Sequence, residues 1–375
     1  MRGACELIQM DLGLRRHLCR VSEAIRRRSA LCVAVVIVIC CITYIRFTRM
    51  WCCQIYRPSS HHGSNTLTKT DESGTGDQEL TDAKLEAFVR SGQVIKKHQF
   101  VVNSEVCSMS GVAHPVYLVV IVPSKPSHFH ERQAIRETWG SQFNKNGKLK
   151  LIFLSGLAEE VTNVQLSSER ERFSDIVQAD FIDSYHNLTR KTTAMLQWSK
   201  QFCPQARYVM KIDDDVFLES ANLIRLLQLM EGEARTIIGY TTGYPEAPIR
   251  DSSSKWHVSY EEYPFERFPR FVHGPSYVIS RDLVTDLNEI SRHATRIYLE
   301  DVYVTGLCAH IAGATIVGTS ALNTGLMYSP VWYMSELAVT SHEFTPLTMR
   351  RLWSVLQAWR SWRPVFKYIG SVVGY

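Results

Sequence analysis

The sequence predicts a single α/β domain of Rossmann-like type, carried behind a membrane anchor and a stem. Three observations predict it. Apolar runs (VYLVVIV, LKLIFL, IVQADF, RYVMKI) alternate with helical stretches, the mark of a largely parallel sheet covered on both faces. The last run ends in Asp213, Asp214 and Asp215, and open α/β sheets collect ligands just outside the carboxyl ends of their strands. An Arg-rich amino end runs directly into an apolar stretch.

That amino end comes first. Residues 1–28 carry seven Arg against three acids and read as a cytosolic tail. The apolar run Leu31–Ile45 is short for a membrane span. Counting outward to 29–47 gives 19 positions, with Arg46 near the end, where a long side chain reaches the interface. No small-residue cleavage site follows, so an uncleaved signal anchor is expected over a cleaved leader, with the basic side cytosolic and the rest luminal. The basic arm needs no nucleic-acid partner once a span adjoins it, and no nucleic-acid-binding pattern supports one. From Arg57 to about Gly76 the chain is Ser, Thr, Gly, His and Asp with almost no large apolar residue. Such composition does not offset ordering entropy, and 48–110 is taken as a luminal stem.

The folded domain is expected over 111–375. VYLVVIV opens it, followed by a helix over 130–139, the strand LKLIFL, a helical or mixed segment to about 173, IVQADF, a helix over 188–202 and RYVMKI. A helix near 222–230 and the strand TIIGY lead into Tyr244–Pro269, rich in Pro and aromatics, which suits loops that face a ligand. The carboxyl-terminal MRRLWSVLQAWRSWRPVFKYIG is amphipathic and is expected to pack on the domain. Cys107, Cys203 and Cys308 would be luminal, where disulfides persist. Three is an odd number, so at least one is free or paired with the stem.

Burying the Asp triplet costs energy unless a cation is bound. Oxygen donors suit a manganese or magnesium ion (Mn²⁺ or Mg²⁺) better than zinc. A helix cap or a solvated turn is the competing reading. Arg132 and Arg136 share a helix face, free to meet neighbouring acids or a phosphate. Asn187 opens the sequon Asn-Leu-Thr, a glycosylation acceptor, and is equally a helix N-cap. Lys191 lies one turn further in. Trp256, Tyr260 and Tyr263 stand among Lys255, His257, Glu261 and Glu262, a mixture suited to sugar rings and also to ordinary loop packing. Glu300 and Asp301 begin a helical run, where acids favour the helix dipole and where a carboxylate stays available as a base.

Taken in order, RQAIRETWG, DSYHNLTRKT, KIDDDVF, SKWHVSYEEYP, YVISRDLV, EDVYVTG and SHEFTPLTM resemble the β-1,3-galactosyltransferase-like glycosyltransferases of family 31, across roughly 112–355. The resemblance implies a GT-A architecture, a UDP-sugar donor and a Golgi enzyme of single-pass type II topology. It implies donor contacts or support from Arg132, Arg136, Lys191, Asp213 and Asp214, a metal held by Asp213, Asp215 and His342, and acceptor contacts from Trp256, Glu262 and Glu300. Asp301 is implied as the base that deprotonates the acceptor hydroxyl. The expected reaction is inverting transfer of a hexose, galactose first, to a 3-hydroxyl of a glycan on glycoprotein or glycolipid. Transfer of N-acetylglucosamine or N-acetylgalactosamine, and a non-catalytic Golgi chaperone or glycan-binding protein with the same fold, are the alternatives. A homodimer is left open. Two departures stand out: the family's SGxGY reads HGPSY from His273, and the glycine of the EDV motif falls one residue late, at Gly306.

Overall fold

The computed structural model describes residues 82–108, 116–145 and 147–372, all within one compact unit, Gly74–Tyr375. The segments expected as cytosolic tail, anchor and first part of the stem lie outside the described residues. Among the described residues no helix is long and apolar enough to cross a membrane.

In chain order the elements are α1 (Asp82–Arg90), β1 (Phe100–Val102), β2 (Leu118–Pro123), α2 (Phe129–Glu137), β3 (Leu149–Leu157), α3 (Glu160–Phe173), β4 (Ile176–Ile182), α4 (Leu188–Phe202), β5 (Tyr208–Ile212), β6 (Phe217–Leu218), α5 (Ser220–Leu229), β7 (Thr236–Gly239), β8 (Ser276–Ser280) and α6 (Arg281–His293). A π-helical segment, Val302–Cys308, runs into α7 (Ala309–Ile311), followed by β9 (Thr315–Gly318), α8 (Pro330–Met334), β10 (Thr340–Ser341) and α9 (Pro346–Val372).

The central sheet has the order β1-β4-β3-β2-β5-β8-β7-β9. Strands β4, β3, β2 and β5 are parallel, as expected from their continuous apolar runs. The sheet is nevertheless mixed, because β8 pairs antiparallel with both β5 and β7. Its approach through the long segment after β7 brings it in from the opposite end. Successive β2 residues face opposite layers. Val119 and Ile121 join one apolar cluster with Trp198, Leu287 and Tyr303; Leu118, Val120 and Val122 join another with Trp139, Phe217 and Leu352. Each such side chain contributes about 1.5–3 kcal/mol by leaving water, which is why β2 tolerates no polar alternation.

The folded unit takes in residues that composition assigns to the stem. Leu85 and Val89 of α1 are buried in the first cluster, β1 extends the sheet edge against β4, and Cys107 is bonded to Cys203. Cys308 is the free, buried thiol among these three. The expected helix over 130–139 ends at Glu137 and tightens into a short 3₁₀ turn at Trp139–Gln142. There the indole of Trp139 donates to the Val216 carbonyl. The basic carboxyl-terminal helix packs on the domain through Met349, Leu352 and Leu356.

Candidate active site

The site grows from the carboxyl end of β5. Asp213 follows Ile212 directly, and its backbone N–H donates to the Pro275 carbonyl just before β8. Asp215 is brought to His342 by a second, two-stranded sheet. Strands β6 and β10 pair antiparallel with Phe217 opposite Ser341, and the Phe344 N–H closes onto the Asp215 carbonyl at 2.8 Å. Asp215 Oδ2 then lies 3.2 Å from His342 Nε2. One donor atom each from Asp213, Asp215 and His342 falls within a 4.8 Å cluster. The triplet does not cap α5, since β6 intervenes and Glu219 occupies the cap position.

Two carboxylates and an imidazole suit a divalent ion, and their environment fits one. Burial pushes the Asp213 carboxyl up to about 7 even against the pull of the Lys211 ammonium beside it, a cost that a bound cation would offset. Asp214 points the other way, accepting from Ser124 Oγ at 2.7 Å and meeting His128 Nδ1 at 2.9 Å. The hydrogen bond to Asp214 raises the His128 imidazole above its usual range.

Gly274, inside the altered HGPSY segment, joins the two acidic motifs. Its carbonyl accepts from Lys211 Nζ, and Nζ also lies 2.6 Å from Asp213 Oδ1 and 2.9 Å from Glu300 Oε1. Burial works against the Lys211 charge, yet Asp213 and Glu300 outweigh it and hold the amine above the usual lysine range. The Gly274 N–H donates to Asp301 Oδ2 at 3.0 Å. A Cβ here would sit 3.2 Å from Glu300 Oε1 and 3.3 Å from Asp301 Oδ2, so a methyl group would enter only if these carboxylates moved by a few tenths of an ångström. The serine in this segment is accommodated as well: Ser276 is buried, with its hydroxyl 2.9 Å from that of Thr340 on β10.

Asp301 Oδ1 accepts from the Val302 N–H at 2.9 Å, leaving each carboxylate oxygen one accepting position. Burial, reinforced by Glu300, pushes its carboxyl up to about 6. Glu300 is more enclosed and accepts from Thr192 and Tyr277. The helix after Asp301 is wound with the wider π spacing, a form frequent at functional sites. Gly306 in this turn packs against Phe271 and Pro269.

Arg132 and Arg136 hold protein rather than facing the Asp cluster. Arg132 is fully buried, and all five of its N–H groups are taken by Glu169, Ser124 and the carbonyls of Lys125 and Pro126. Arg132 thereby ties down the loop whose Ser124 holds Asp214. Arg136 binds Glu169 and Asp175 and stacks over Phe153 and Phe173. Lys191 is buried against Asp183, with a bond to the Ser124 carbonyl, and that burial lowers its pKa.

On the rim, Trp256 is 49% exposed with Lys255 above its ring. Glu262 accepts from the Ser259 N–H. Tyr263, grouped with them on sequence, is instead fully buried, and its hydroxyl donates to the Arg267 carbonyl. Asn187 occupies the start of α4 without capping it; its amide donates back to the Ile182 carbonyl. Sequence reasoning missed two residues. Tyr185 is raised by burial and then by Asp301 and Asp213, which places it beside the acids; its position in DSYHNLTRKT was the available signal. Arg250 donates to the carbonyls of Val258, Ser259, Tyr263 and Phe265 and so shapes the aromatic loop. Nothing local in sequence marks it.

A mixed α/β sheet with an Asp-Asp-His set at one strand end and a second acid pair across Gly274 defines a glycosyltransferase of GT-A-like fold. Residues 130–319 match the family described as Galactosyltransferase. The chain is 39% identical over 243 residues to mouse "Beta-1,3-galactosyltransferase 1", covering 64% of this chain and 73% of that protein. It is 36% identical over 249 residues to human "Beta-1,3-galactosyltransferase 5", covering 65% and 79%. Mouse xyloside xylosyltransferase 1 overlaps 60% of this chain and 97% of its own at 13% identity and a TM-score of 0.32, too loose a likeness to carry an argument. The chain belongs to the galactosyltransferase family and is a glycosyltransferase.

Proposed function

We propose that the protein is an inverting β-1,3-galactosyltransferase that moves galactose from UDP-galactose to the 3-hydroxyl of an acceptor glycan. The observation that carries this reading is the bridge through Gly274, which sets Asp301 beside the Asp213–Asp215–His342 cluster. One acid pair then faces the acceptor while the other holds the donor. Asp213, Asp215 and His342 would hold a manganese or magnesium ion, which when bound neutralises diphosphate charge on the leaving group.

The remaining chemistry belongs to the chain. Asp301, held by two backbone N–H groups, takes the proton of the acceptor hydroxyl as that oxygen attacks the anomeric carbon. With one carboxylate acting as base and none needed as nucleophile, the configuration inverts. Glu300 and Lys211 fix the position of Asp301 and orient Asp213. Arg132, Arg136 and Lys191 support the donor through the Ser124 loop, and Asp214 anchors that loop. Trp256 and Glu262, with Tyr185, border the acceptor. The amino-terminal features described above support a single-pass type II Golgi enzyme, and Asn187 is proposed as a glycan site.

The test measures hydrolysis and transfer with UDP-galactose, UDP-N-acetylglucosamine and UDP-N-acetylgalactosamine, with and without chelator. UDP-galactose is expected to be preferred, and activity to vanish on chelation and return with Mn²⁺ or Mg²⁺. Preference for an N-acetylated donor would overturn the galactose assignment, and full activity in excess chelator the metal site.

A further inference from the structure

A second cavity, of about 650 Å³, lies on the other side of α4. Four cations line it: Lys96 and Lys97 from the segment between α1 and β1, Arg190 from α4, and Arg296 from the segment after α6. Against them stands one carboxylate in the lining, Asp180, and it already accepts from the Gln99 N–H. Other arginines meet acids, as Arg132 does Glu169 and Arg235 does Asp286. Four cations against one carboxylate leave a net positive lining, a field that draws an anion.

The fold builds this cavity. Gly92 passes so close to the backbone of Ala294 that a Cβ would lie 2.3 Å from its carbonyl carbon. The Ile95 N–H bonds to Arg292, and the Thr295 N–H to Val89. Gln197 clamps both backbone groups of His98. Val94 adds exposed apolar surface among the cations. The wall is also tied to the acceptor side of the active site. Ile297 and Tyr298, next to Arg296, receive the Thr189 hydroxyl, and the Tyr298 hydroxyl holds the carbonyls of Lys255 and His257 around Trp256.

We propose that this cavity is an anion subsite for a carboxylate or sulfate group on an acidic saccharide chain. That the anion's carrier is a saccharide rests on the glycosyltransferase reading; the charge of the cavity does not.

The experiment titrates the full chain with a sulfated N-acetyllactosamine tetrasaccharide, the unsulfated tetrasaccharide, inorganic sulfate and anionic lipid vesicles. Wild type is expected to bind the sulfated chain about tenfold or more tightly than the unsulfated one, the scale of one charge-assisted contact. Arg190→Ala with Arg296→Ala should abolish that preference. Lys200→Ala, an exposed change at the far end of α4, should keep it. If the double variant fails to fold, Lys96→Gln with Lys97→Gln on the connecting segment carries the same expectation. Equal affinity for the two tetrasaccharides, or a preference that survives the substitutions, overturns the proposal. So does inorganic sulfate binding as tightly as the sulfated chain, or saturable vesicle binding without tetrasaccharide binding. UDP-galactose hydrolysis by the same preparations separates the two readings: a chain that hydrolyses donor but ignores sulfation loses the subsite alone, and one that prefers the sulfated chain but hydrolyses no UDP-sugar loses the catalytic reading alone.

Discussion

Gly274 touches Lys211 through its carbonyl and Asp301 through its N–H, with tight space for a methyl group beside the two carboxylates. Gly274→Ala is therefore expected to displace Glu300 or Asp301 by a few tenths of an ångström. Turnover should fall on the order of 10- to 100-fold, the usual sensitivity to small misplacement, while thermal stability changes little; unaltered turnover would remove Gly274 from the mechanism. Asp301 supplies a sharper test. A base acts only when ionised, and burial with Glu300 nearby pushes this carboxyl up to about 6, so kcat/KM should decline as pH drops through about 6. Asp301→Asn keeps the shape but accepts no proton. Its turnover should be lower by about 100-fold or more, with UDP affinity near wild type. Near-normal transfer by this variant would make Glu300 the next candidate.

Among the elements, the loop from Tyr240 to Pro269 is held by interactions far from its motif. Arg250 gathers four carbonyls while the Tyr260 ring lies 3.9 Å away. Bonds of this charged kind contribute about 1.5–3 kcal/mol each. Arg250→Ala should release Trp256 and Glu262 from the rim. The acceptor KM is expected to rise about tenfold with UDP affinity and kcat nearly unchanged; a parallel loss of UDP binding would show that the loop serves the donor instead. Helix α2 has the converse role. Its Arg132 and Arg136 share Glu169, whose carboxyl is raised by burial but lowered overall by the two guanidinium groups. That network fixes the helix against the β2–α2 loop and lets Ser124 reach Asp214.

At the scale of the whole molecule, the amino-terminal segment is locked to the body by the Cys107–Cys203 bond and by His98. Burial lowers the His98 imidazole to about 4, and its Nε2 lies 3.0 Å from the Thr193 hydroxyl on α4. In the unfolded chain the ring titrates near 6.5. Between about pH 6.5 and pH 4 the unfolded state therefore binds the extra proton, and stability is lost as pH falls through that window, by up to about 3 kcal/mol. His98→Gln should flatten this part of the stability curve when unfolding is followed in urea at a series of pH values. An unchanged slope would assign the acid sensitivity elsewhere.

The alternation of buried strands and helices determined the parallel half of the sheet, because continuous apolar runs such as VYLVVIV have one stable environment between two helical layers. The Asp triplet was legible for the same reason: charge at the end of a buried strand has to be answered. His342 beside it is marked only by the family resemblance, since nothing local in the sequence joins the two. His342 reaches Asp215 only because β10 pairs with β6, and Gly274 reaches Asp301 only because β8 enters antiparallel, long-range pairings that no local period records. Residues 82–108 show the same division. Their composition is weakly apolar, and their place in the folded unit depends on Leu85, Val89 and Cys107 finding partners distant in sequence. Arg132 and Arg136 lie on the helix face that their spacing predicts, yet Glu169 and Asp175 come from other elements and take up their guanidinium groups. Sequence determined which chemical groups the protein carries and on which elements; the tertiary structure decided which of them meet, since burial and partner geometry arise only once the chain has closed on itself.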